Sequence, residues 1–357
     1  MKKKVLATLL TAALAATLIT GCGAGVPAPA AEAAPAATEE AAPADEAAPA
    51  EEAAPAEEAA PTDEAAPAGD LTIGFSQYAA YNNWRVTNTD DVNRALNEQG
   101  WKVIFADAND DTAQQISDIE DMIAQSPDYL VIAPREQEGY ESVLEEAKDA
   151  GIKVVLFDRL ADGPYDVLIQ GDYILEGENA GQAVVDTFGD TDPINIVELT
   201  GTPGADVTAQ RSEGFMNIMK DHPNYKILAS QVGNFSRTES QTAMENLIQS
   251  YGDQINVVYA HSDDNGIGAI NAIKAAGLTP GKDIYVFGVD GTTDGLQAII
   301  DGEMTATYLC NPFYGDAIVD LIKRLEGGET FSDRVILEGK LYTIDNAQSS
   351  LDAGEGF

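Results

Sequence analysis

Cysteine and histidine are scarce in this sequence, with two of each in 357 residues. Cys22 lies in an N-terminal segment and Cys310 near the other end, so the folded part of the chain has no second thiol for a disulfide. His222 and His261, with so few cysteines, make no cluster of the kind that binds zinc. We therefore predict no metal and no cofactor, and we expect stability to come from a buried core, which a chain of this length can supply.

Basic residues are also few, since 20 Lys and Arg stand against 60 Asp and Glu, a net charge of −40. Residues 23–70 hold 12 of the acids and residues 1–22 three of the bases, which leaves 48 acids and 17 bases, or −31, for residues 71–357. Such a surface repels phosphate backbones and anionic headgroups. We expect no nucleic-acid partner, and a transcription regulator is set aside because it needs a basic DNA-binding helix.

The first 22 residues have the pattern of a targeting segment. Three lysines precede an apolar core from Val5 to Ile19, which is too short for a comfortable membrane span. The sequence Ile19-Thr20-Gly21-Cys22 resembles the bacterial lipobox, which implies cleavage before Cys22 and lipidation of its thiol. We predict an extracytoplasmic protein, periplasmic or at the cell surface, held to the membrane by a lipid anchor. An ordinary signal peptide or a short anchor helix are the alternatives.

Residues 23–70 are built mainly of Ala, Pro, Glu and Asp, and from Pro43 to Pro67 a proline returns every sixth residue. Proline at this frequency prevents a long helix, and the acidic residues repel one another and extend the chain. We predict a disordered tether here rather than a domain.

From Leu71 onward, short apolar runs alternate with amphipathic helical patterns. The segment Gly151–Arg159 is typical, because Val154–Phe157 is too short and too β-branched for a helix and follows a helix-ending Ala-Gly. The alternation restarts after Asp192-Pro193. Two such runs predict an α/β protein with two doubly wound parallel-sheet lobes, joined by several hinge segments.

Charged residues follow several of the predicted strands: Asp158 and Arg159 after one, Asp263 after another and Asp290 after a third. The carboxyl ends of parallel strands are where open α/β sheets bind ligands. A carboxylate beside a guanidinium accepts from one hydroxyl and donates to its neighbour, which suits vicinal diols. The alternatives are a surface ion pair at Asp158-Arg159, a helix cap at Asp263 and a turn residue at Asp290.

Trp84 and Arg85 open the first predicted helix, and Arg211 lies in a helix after the Gly/Pro loop 201–206. Tryptophan offers a flat apolar face for the C–H side of a sugar ring, and arginine adds directional donors. The alternatives are a core tryptophan and solvent-exposed arginines. The Gly/Pro loop lacks the Lys-Ser/Thr pair of a phosphate-binding loop.

An enzyme is the competing class. The sequence has no Gly-x-Ser-x-Gly motif, and His261 beside Ser262 on one turn cannot form a triad. Paired carboxylates leave a glycoside-processing hydrolase as the alternative, in which substitution of Asp158 or Asp290 would strongly reduce the rate of turnover. We predict that the protein is not an enzyme.

The folded part of the chain resembles the type I periplasmic sugar-binding proteins of ABC transporters, the ribose/galactose-binding class, and within it the galactofuranose-binding members. The resemblance covers essentially all of the chain from Leu71 to the C-terminus. The segments that carry it are Trp84-Arg85, Ile132–Pro134, Glu145–Ile152, Phe157–Arg159, Ile174–Gly177, Val197–Ala205 with Arg211, Tyr259–Asp264, Val289–Gly291 and Cys310–Pro312.

This resemblance implies that two lobes close on a monosaccharide, galactofuranose-, galactose- or ribose-like, and deliver it to an ABC permease in the membrane. A monomer is expected, and a sugar sensor feeding a chemoreceptor or histidine kinase is an alternative. The implied lobes are residues 71–175 plus about 311–334 and residues 176–310 plus about 335–357. The implied ligand-binding residues are Ser76, Asn82, Asn83, Trp84, Arg85, Asp158, Arg159, Arg211, Phe235, Asp263, Asp290 and Asn311.

The sequence departs from the family pattern at two places. Ser262 stands where the family usually has Asn. Because the serine side chain is shorter, we expect Asp263 to contribute more to ligand binding, and the family pattern does not determine which sugar is bound. The loop from Tyr78 to Tyr81 also differs from the family, so its contacts do not follow from the resemblance.

Overall fold

A computed structural model describes residues 71–331 and 334–357. The predicted signal peptide (1–22), the lipobox at Cys22 and the predicted tether (23–70) lie outside the described residues. Among the helices that the structure describes, none is long and apolar enough to span a membrane.

The first lobe is a six-stranded, all-parallel sheet with helices on both faces. Its strand order is β11-β5-β4-β3-β1-β2, and its inner strands are buried on both faces, as their continuous apolar runs predict. The elements are β1 (Thr72–Gln77), α1 (Asn83–Glu98), β2 (Lys102–Asp107), α2 (Thr112–Ile123), β3 (Tyr129–Ala133), α3 (Glu141–Asp149), β4 (Lys153–Phe157), β5 (Val167–Gly171), α9 (Gly315–Glu326) and β11 (Val335–Leu337).

The second lobe repeats this plan with the strand order β12-β10-β9-β8-β6-β7. Its elements are α4 (Tyr173–Phe188), β6 (Ile194–Thr200), α5 (Asp206–Met219), β7 (Tyr225–Val232), α6 (Arg237–Tyr251), a 3₁₀ turn (Gly252–Gln254), β8 (Val257–Ala260), α7 (Asp263–Ala275), β9 (Tyr285–Asp290), α8 (Thr293–Ile300), β10 (Ala306–Leu309), β12 (Leu341–Thr343) and α10 (Ala347–Asp352). The edge strand β12 runs antiparallel to β10, whereas the other pairs are parallel.

The predicted two-lobed α/β fold is confirmed. The chain passes between the sheets three times: between β5 and α4, between β10 and α9, and between β11 and β12. We expected the last passage at about residue 334, but Val335 pairs with Ile169 of β5, which places Val335–Leu337 in the first sheet. A three-residue strand is too short to show alternation, so the sequence could not locate it.

Helices α4 and α5 pack unusually closely on one face of the second sheet. A β-carbon added to Gly214 of α5 would lie 2.0 Å from the carbonyl oxygen of Ile174, and one added to Gly177 of α4 would lie 2.3 Å from that of Arg211. Two facing glycines therefore let the helix backbones touch. This contact positions Arg211, which lies in the same turn of α5.

Candidate ligand-binding site

Three residues at the facing edges of the two sheets have backbone conformations that side chains rarely adopt. Asp158 follows β4 with φ 63°, Asp290 ends β9 with φ 129°, and Phe235 lies between β7 and α6 with φ 54°. Such strain costs about 1–3 kcal/mol for each residue and concentrates at functional sites. All three side chains line one cavity between the lobes.

This cavity has a volume of about 330 Å³, including its opening to solvent. It shares Tyr81, Asn82 and Phe235 with a wider cleft of about 1190 Å³. Twelve residues from both lobes line the cavity: Tyr78, Tyr81, Asn82, Trp84, Arg85, Asp158, Arg159, Val207, Arg211, Phe235, Asp290 and Cys310.

The two lobes are closed over the cavity and touch directly. The Asn82 side chain donates to the carbonyl of Phe235 at 3.2 Å, and the amide of Gln137 donates to the carbonyl of Gly204 at 3.0 Å. Closure leaves Asp158 3% and Asp290 5% exposed, so both carboxylates lie in a largely dry environment.

Arg85 and Asp158 form a buried ion pair. The Nη2 atom of Arg85 donates to Oδ2 of Asp158 at 2.5 Å, and the Tyr173 hydroxyl donates to Oδ1 at 3.0 Å. Burial by itself would raise the pKa of the Asp158 carboxyl, but the charges of Arg85 and Arg159 outweigh it and hold this pKa below its ordinary value. Asp158 is therefore ionised in this site.

Arg211 is the charged centre of the second lobe's side of the site. Its Nε donates to Glu176 at 2.8 Å and its Nη1 to the carbonyl of His261 at 2.5 Å. Its Nη2 lies 3.7 Å from Oδ1 of Asp290, beyond hydrogen-bond distance.

Asp290 is buried without a described protein donor within hydrogen-bond distance of its carboxylate. Burial raises the pKa of Asp290 well above its ordinary value, and the nearby charge of Arg211 only partly opposes this. A buried acceptor in this state gains free energy when a donor reaches it. Asp290 is thus an available acceptor facing the cavity.

Two aromatic faces complete the site. The Trp84 indole N–H donates to the carbonyl of Cys310 at 2.7 Å, so the ring is fixed against the hinge, and Trp84 lines the cavity. The Phe235 ring lies 5.5 Å from the guanidinium of Arg159 and 5.9 Å from that of Arg211. A β-carbon at Gly201 would lie 1.9 Å from Cζ of Phe235, so this ring position requires glycine there.

Four of the residues implied by the resemblance do not line the cavity. Ser76 accepts from Gln115, Asn83 lines the wider cleft and donates to the carbonyl of Phe357, and Asn311 accepts from the amide of Phe313. The fourth is Asp263.

Asp263 is fully buried and its carboxylate is already satisfied. It accepts from the amide and hydroxyl of Thr292 at 2.8 and 3.0 Å and from the hydroxyl of Thr307 at 2.6 Å. Ser262, the departure from the family pattern, caps α7 by accepting from the amide of Asn265. Both side chains thus serve the fold of the second lobe.

The cavity also includes residues that the sequence did not place among the ligand-binding residues, namely Tyr78, Tyr81, Val207 and Cys310. The apolar side chain of Val207 has no feature by which a sequence would mark it as a ligand-binding residue. The loop from Tyr78 to Tyr81 departs from the family, but only the fold shows that the Tyr78 hydroxyl contacts Arg85 and Arg159 and lies beside the Tyr81 hydroxyl.

A cluster of Ser212, His261 and Glu198 in the second lobe resembles a hydrolase triad in composition but not in geometry. Glu198 lies 2.9 Å from Nε2 of His261, and the Ser212 hydroxyl approaches the same nitrogen at 3.4 Å. That nitrogen must donate to the carboxylate, so it cannot accept the serine proton. His261 is therefore not placed to act as the base of a serine nucleophile, as a hydrolase triad requires.

Comparison with known proteins identifies the family. Residues 73–330 match the family model described as a periplasmic binding protein domain. The chain belongs to the periplasmic binding protein family. The members of this family to which the chain is similar are named as binding proteins, not as enzymes.

Three relatives illustrate the similarity. The galactofuranose-binding protein YtfQ of Escherichia coli is 38% identical over 292 residues, 80% of this chain and 92% of that protein. The ribose import binding protein RbsB of Bacillus subtilis is 36% identical over 244 residues, 68% of this chain and 77% of the other. The binding component of the arabinose ABC transporter of Shewanella sp. ANA-3, solved with L-arabinofuranose, has a TM-score of 0.75 at 33% identity, covering 79% of this chain and 95% of its own.

Proposed function

We propose that this protein captures a monosaccharide between its two lobes and delivers it to an ABC permease. The observation that carries the proposal is the interlobe cavity. The buried Asp290 side chain, which lacks a described protein donor, lines the same cavity as the ion pair of Arg85 and Asp158. A polyol would supply hydroxyl donors and acceptors to both sides of such a cavity at once.

In this proposal each lining group has a role. Asp290 accepts a ligand hydroxyl, Nη2 of Arg211 donates to a neighbouring oxygen, and the Trp84 and Phe235 faces cover the C–H surfaces of the ring. Hydrogen bonds to charged groups contribute about 1.5–3 kcal/mol each, so two or three of them discriminate strongly among sugars. Asn82 links the two lobes where the cavity opens.

Import is favoured over sensing by the relatives that are named as import or transporter binding proteins. The resemblance of residues 19–22 to a lipobox supports lipidation at Cys22 and an extracytoplasmic location on the membrane. We propose that a monomer acts at the end of the tether formed by residues 23–70, and that no chemistry occurs on the sugar.

Binding rather than hydrolysis fits the relatives, which are named as binding proteins. Asp158 is held ionised by two arginines, so it is unsuited to donate a proton to a leaving group. In the Ser212 cluster, His261 donates to Glu198 and is not placed to act as a base for Ser212.

The test is thermal unfolding of the full chain with a panel of pentoses and hexoses, free and as methyl furanosides. A sugar at about one hundred times its dissociation constant adds about 2.7 kcal/mol of stability. We expect one sugar to raise the melting temperature and to be recovered unchanged. A panel without any shift would contradict the proposal, and an altered sugar would indicate an enzyme.

A further inference from the structure

Tyr78 occupies a fixed position at the first lobe's end of the cavity. It follows β1, its amide donates to the Gln77 side chain at 3.2 Å, and its carbonyl accepts from the amide of Asp110 at 2.8 Å. The side chain is 1% exposed. The tyrosine is therefore built into the site and does not swing freely at its edge.

The Tyr78 hydroxyl lies between two guanidinium groups. It accepts from Nη2 of Arg159 at 2.7 Å and from Nη2 of Arg85 at 3.1 Å, while its ring lies 4.3 and 4.4 Å from the two guanidinium carbons. The two lone pairs of the oxygen are then used, so its proton is directed to the Tyr81 hydroxyl at 3.2 Å.

Two converging arginine donors are an arrangement that would hold a ligand hydroxyl. Here the protein's own phenol takes that place. We propose that Tyr78 is a specificity-determining residue that substitutes for one exocyclic hydroxyl of the ligand, so that the site takes a pentose in preference to the corresponding hexose. This inference rests on the proposed function and narrows its substrate class.

The physical reason lies in the cost of displacement. A hexose hydroxymethyl that entered this position would have to move the Tyr78 hydroxyl away from Arg85 and Arg159, leaving a buried phenol without its partners. An unsatisfied buried polar group costs about 1–3 kcal/mol, which corresponds to roughly 5- to 100-fold in affinity. A pentose leaves the Tyr78 network intact.

The experiment measures affinities by isothermal titration calorimetry on the full chain. The ligands are three pairs that, in their pyranose forms, differ only by the exocyclic hydroxymethyl group: L-arabinose with D-galactose, D-xylose with D-glucose, and D-ribose with D-allose. The proteins are the wild type, Tyr78→Ala, Tyr78→Phe and a control, Tyr129→Phe. Tyr129 is a matched control because its hydroxyl also contacts charged groups, Glu326 and Lys153, but does not line the cavity.

For whichever of the three pairs the wild type binds, we expect its affinity for the pentose to be at least ten times its affinity for the hexose. Tyr78→Ala opens space and frees both donors, so this preference should fall at least tenfold; Tyr78→Phe removes the hydroxyl alone and should lower the preference in the same direction. Tyr129→Phe should keep it. An equal or tighter affinity of the wild type for the hexose, or a preference unchanged in the folded Tyr78→Phe variant, overturns the inference alone. A wild type that binds none of the six sugars overturns this inference together with the proposed function.

Discussion

The Nη2 atom of Arg85 lies 2.5 Å from Oδ2 of Asp158 and joins the first turn of α1 to the residue that follows β4. Both side chains are at most 5% exposed. Removing one partner of such a pair leaves an uncompensated buried charge, whereas exposed ion pairs contribute little. This contrast gives the first prediction.

Asp158→Asn should lower the free energy of unfolding by about 3 kcal/mol or more and should abolish sugar binding, because Arg85 and Arg159 lose their counter-charge. Asp110→Asn is the matched control, since Asp110 pairs with Arg135 at 2.9 Å on the surface and its loss should cost under about 1 kcal/mol. Urea unfolding and calorimetric titration measure both effects. Equal losses in the two variants would contradict a special role for the buried pair.

Asp206 gives a prediction on pH. Burial raises the pKa of its carboxyl to about 6, the charge of Asp158 acts in the same direction, and its Oδ1 has no hydrogen-bond partner among the described residues. The folded state therefore binds a proton more tightly than the unfolded state, so the stability that this group contributes falls as pH rises from about 4 to about 6.

Asp206→Asn should remove this dependence on pH. As pH rises from about 4 to about 6, the free energy of unfolding of the variant should therefore increase relative to that of the wild type. Urea unfolding at pH 4.5, 5, 6 and 7 measures it. Asp221→Asn, at an exposed acid just after α5, is the control substitution. Parallel profiles for wild type and Asp206→Asn would disprove the assignment.

Gly201 and Phe235 should show strong energetic coupling. A β-carbon at Gly201 would overlap the Phe235 ring, so Gly201→Ala should displace the ring and weaken sugar binding at least tenfold. In a Phe235→Ala background the same substitution has nothing to displace and should have little further effect. A double-mutant cycle on affinity and stability tests this, and additive effects of the two changes would refute it.

Cys22 should determine membrane association. In cells that process lipoproteins, the full chain should partition into the membrane fraction, and Cys22→Ser should release it. Cys310→Ser is the control, because this thiol is buried in the folded part and should not affect partitioning. Retention of Cys22→Ser in the membrane would favour an uncleaved anchor helix over a lipid.

Much of the fold could be predicted from local patterns. The strand β4 is predicted from four apolar residues, because burial on both faces of an element leaves a short-range pattern in the sequence. The strand β11 and the helix α10 were missed. They are short, and their positions depend on partners far away in the chain, β5 for the first.

In the candidate site, too, local patterns predicted the positions of some residues and not of others. Asp158 and Asp290 could be placed at a sheet edge because each ends or follows a strand, and the strand direction determines which edge the side chain reaches. Asp263 has the same sequence context but turns away from the cavity, since Thr292 and Thr307 satisfy its carboxylate. The local sequence contains nothing that distinguishes the two outcomes.

By itself, then, the sequence determined the two α/β lobes, the acidic surface charge, the resemblance to a family and the strand ends where a ligand would bind, because each depends on composition or on neighbouring residues. The tertiary structure decided which side chains face the cavity and how they pair. Tyr78 is the clearest case, since its hydroxyl joins Arg85 and Arg159, and Arg159 lies 81 residues away in the chain. Contacts of this kind depend on side-chain direction and long-range packing, which local patterns do not record.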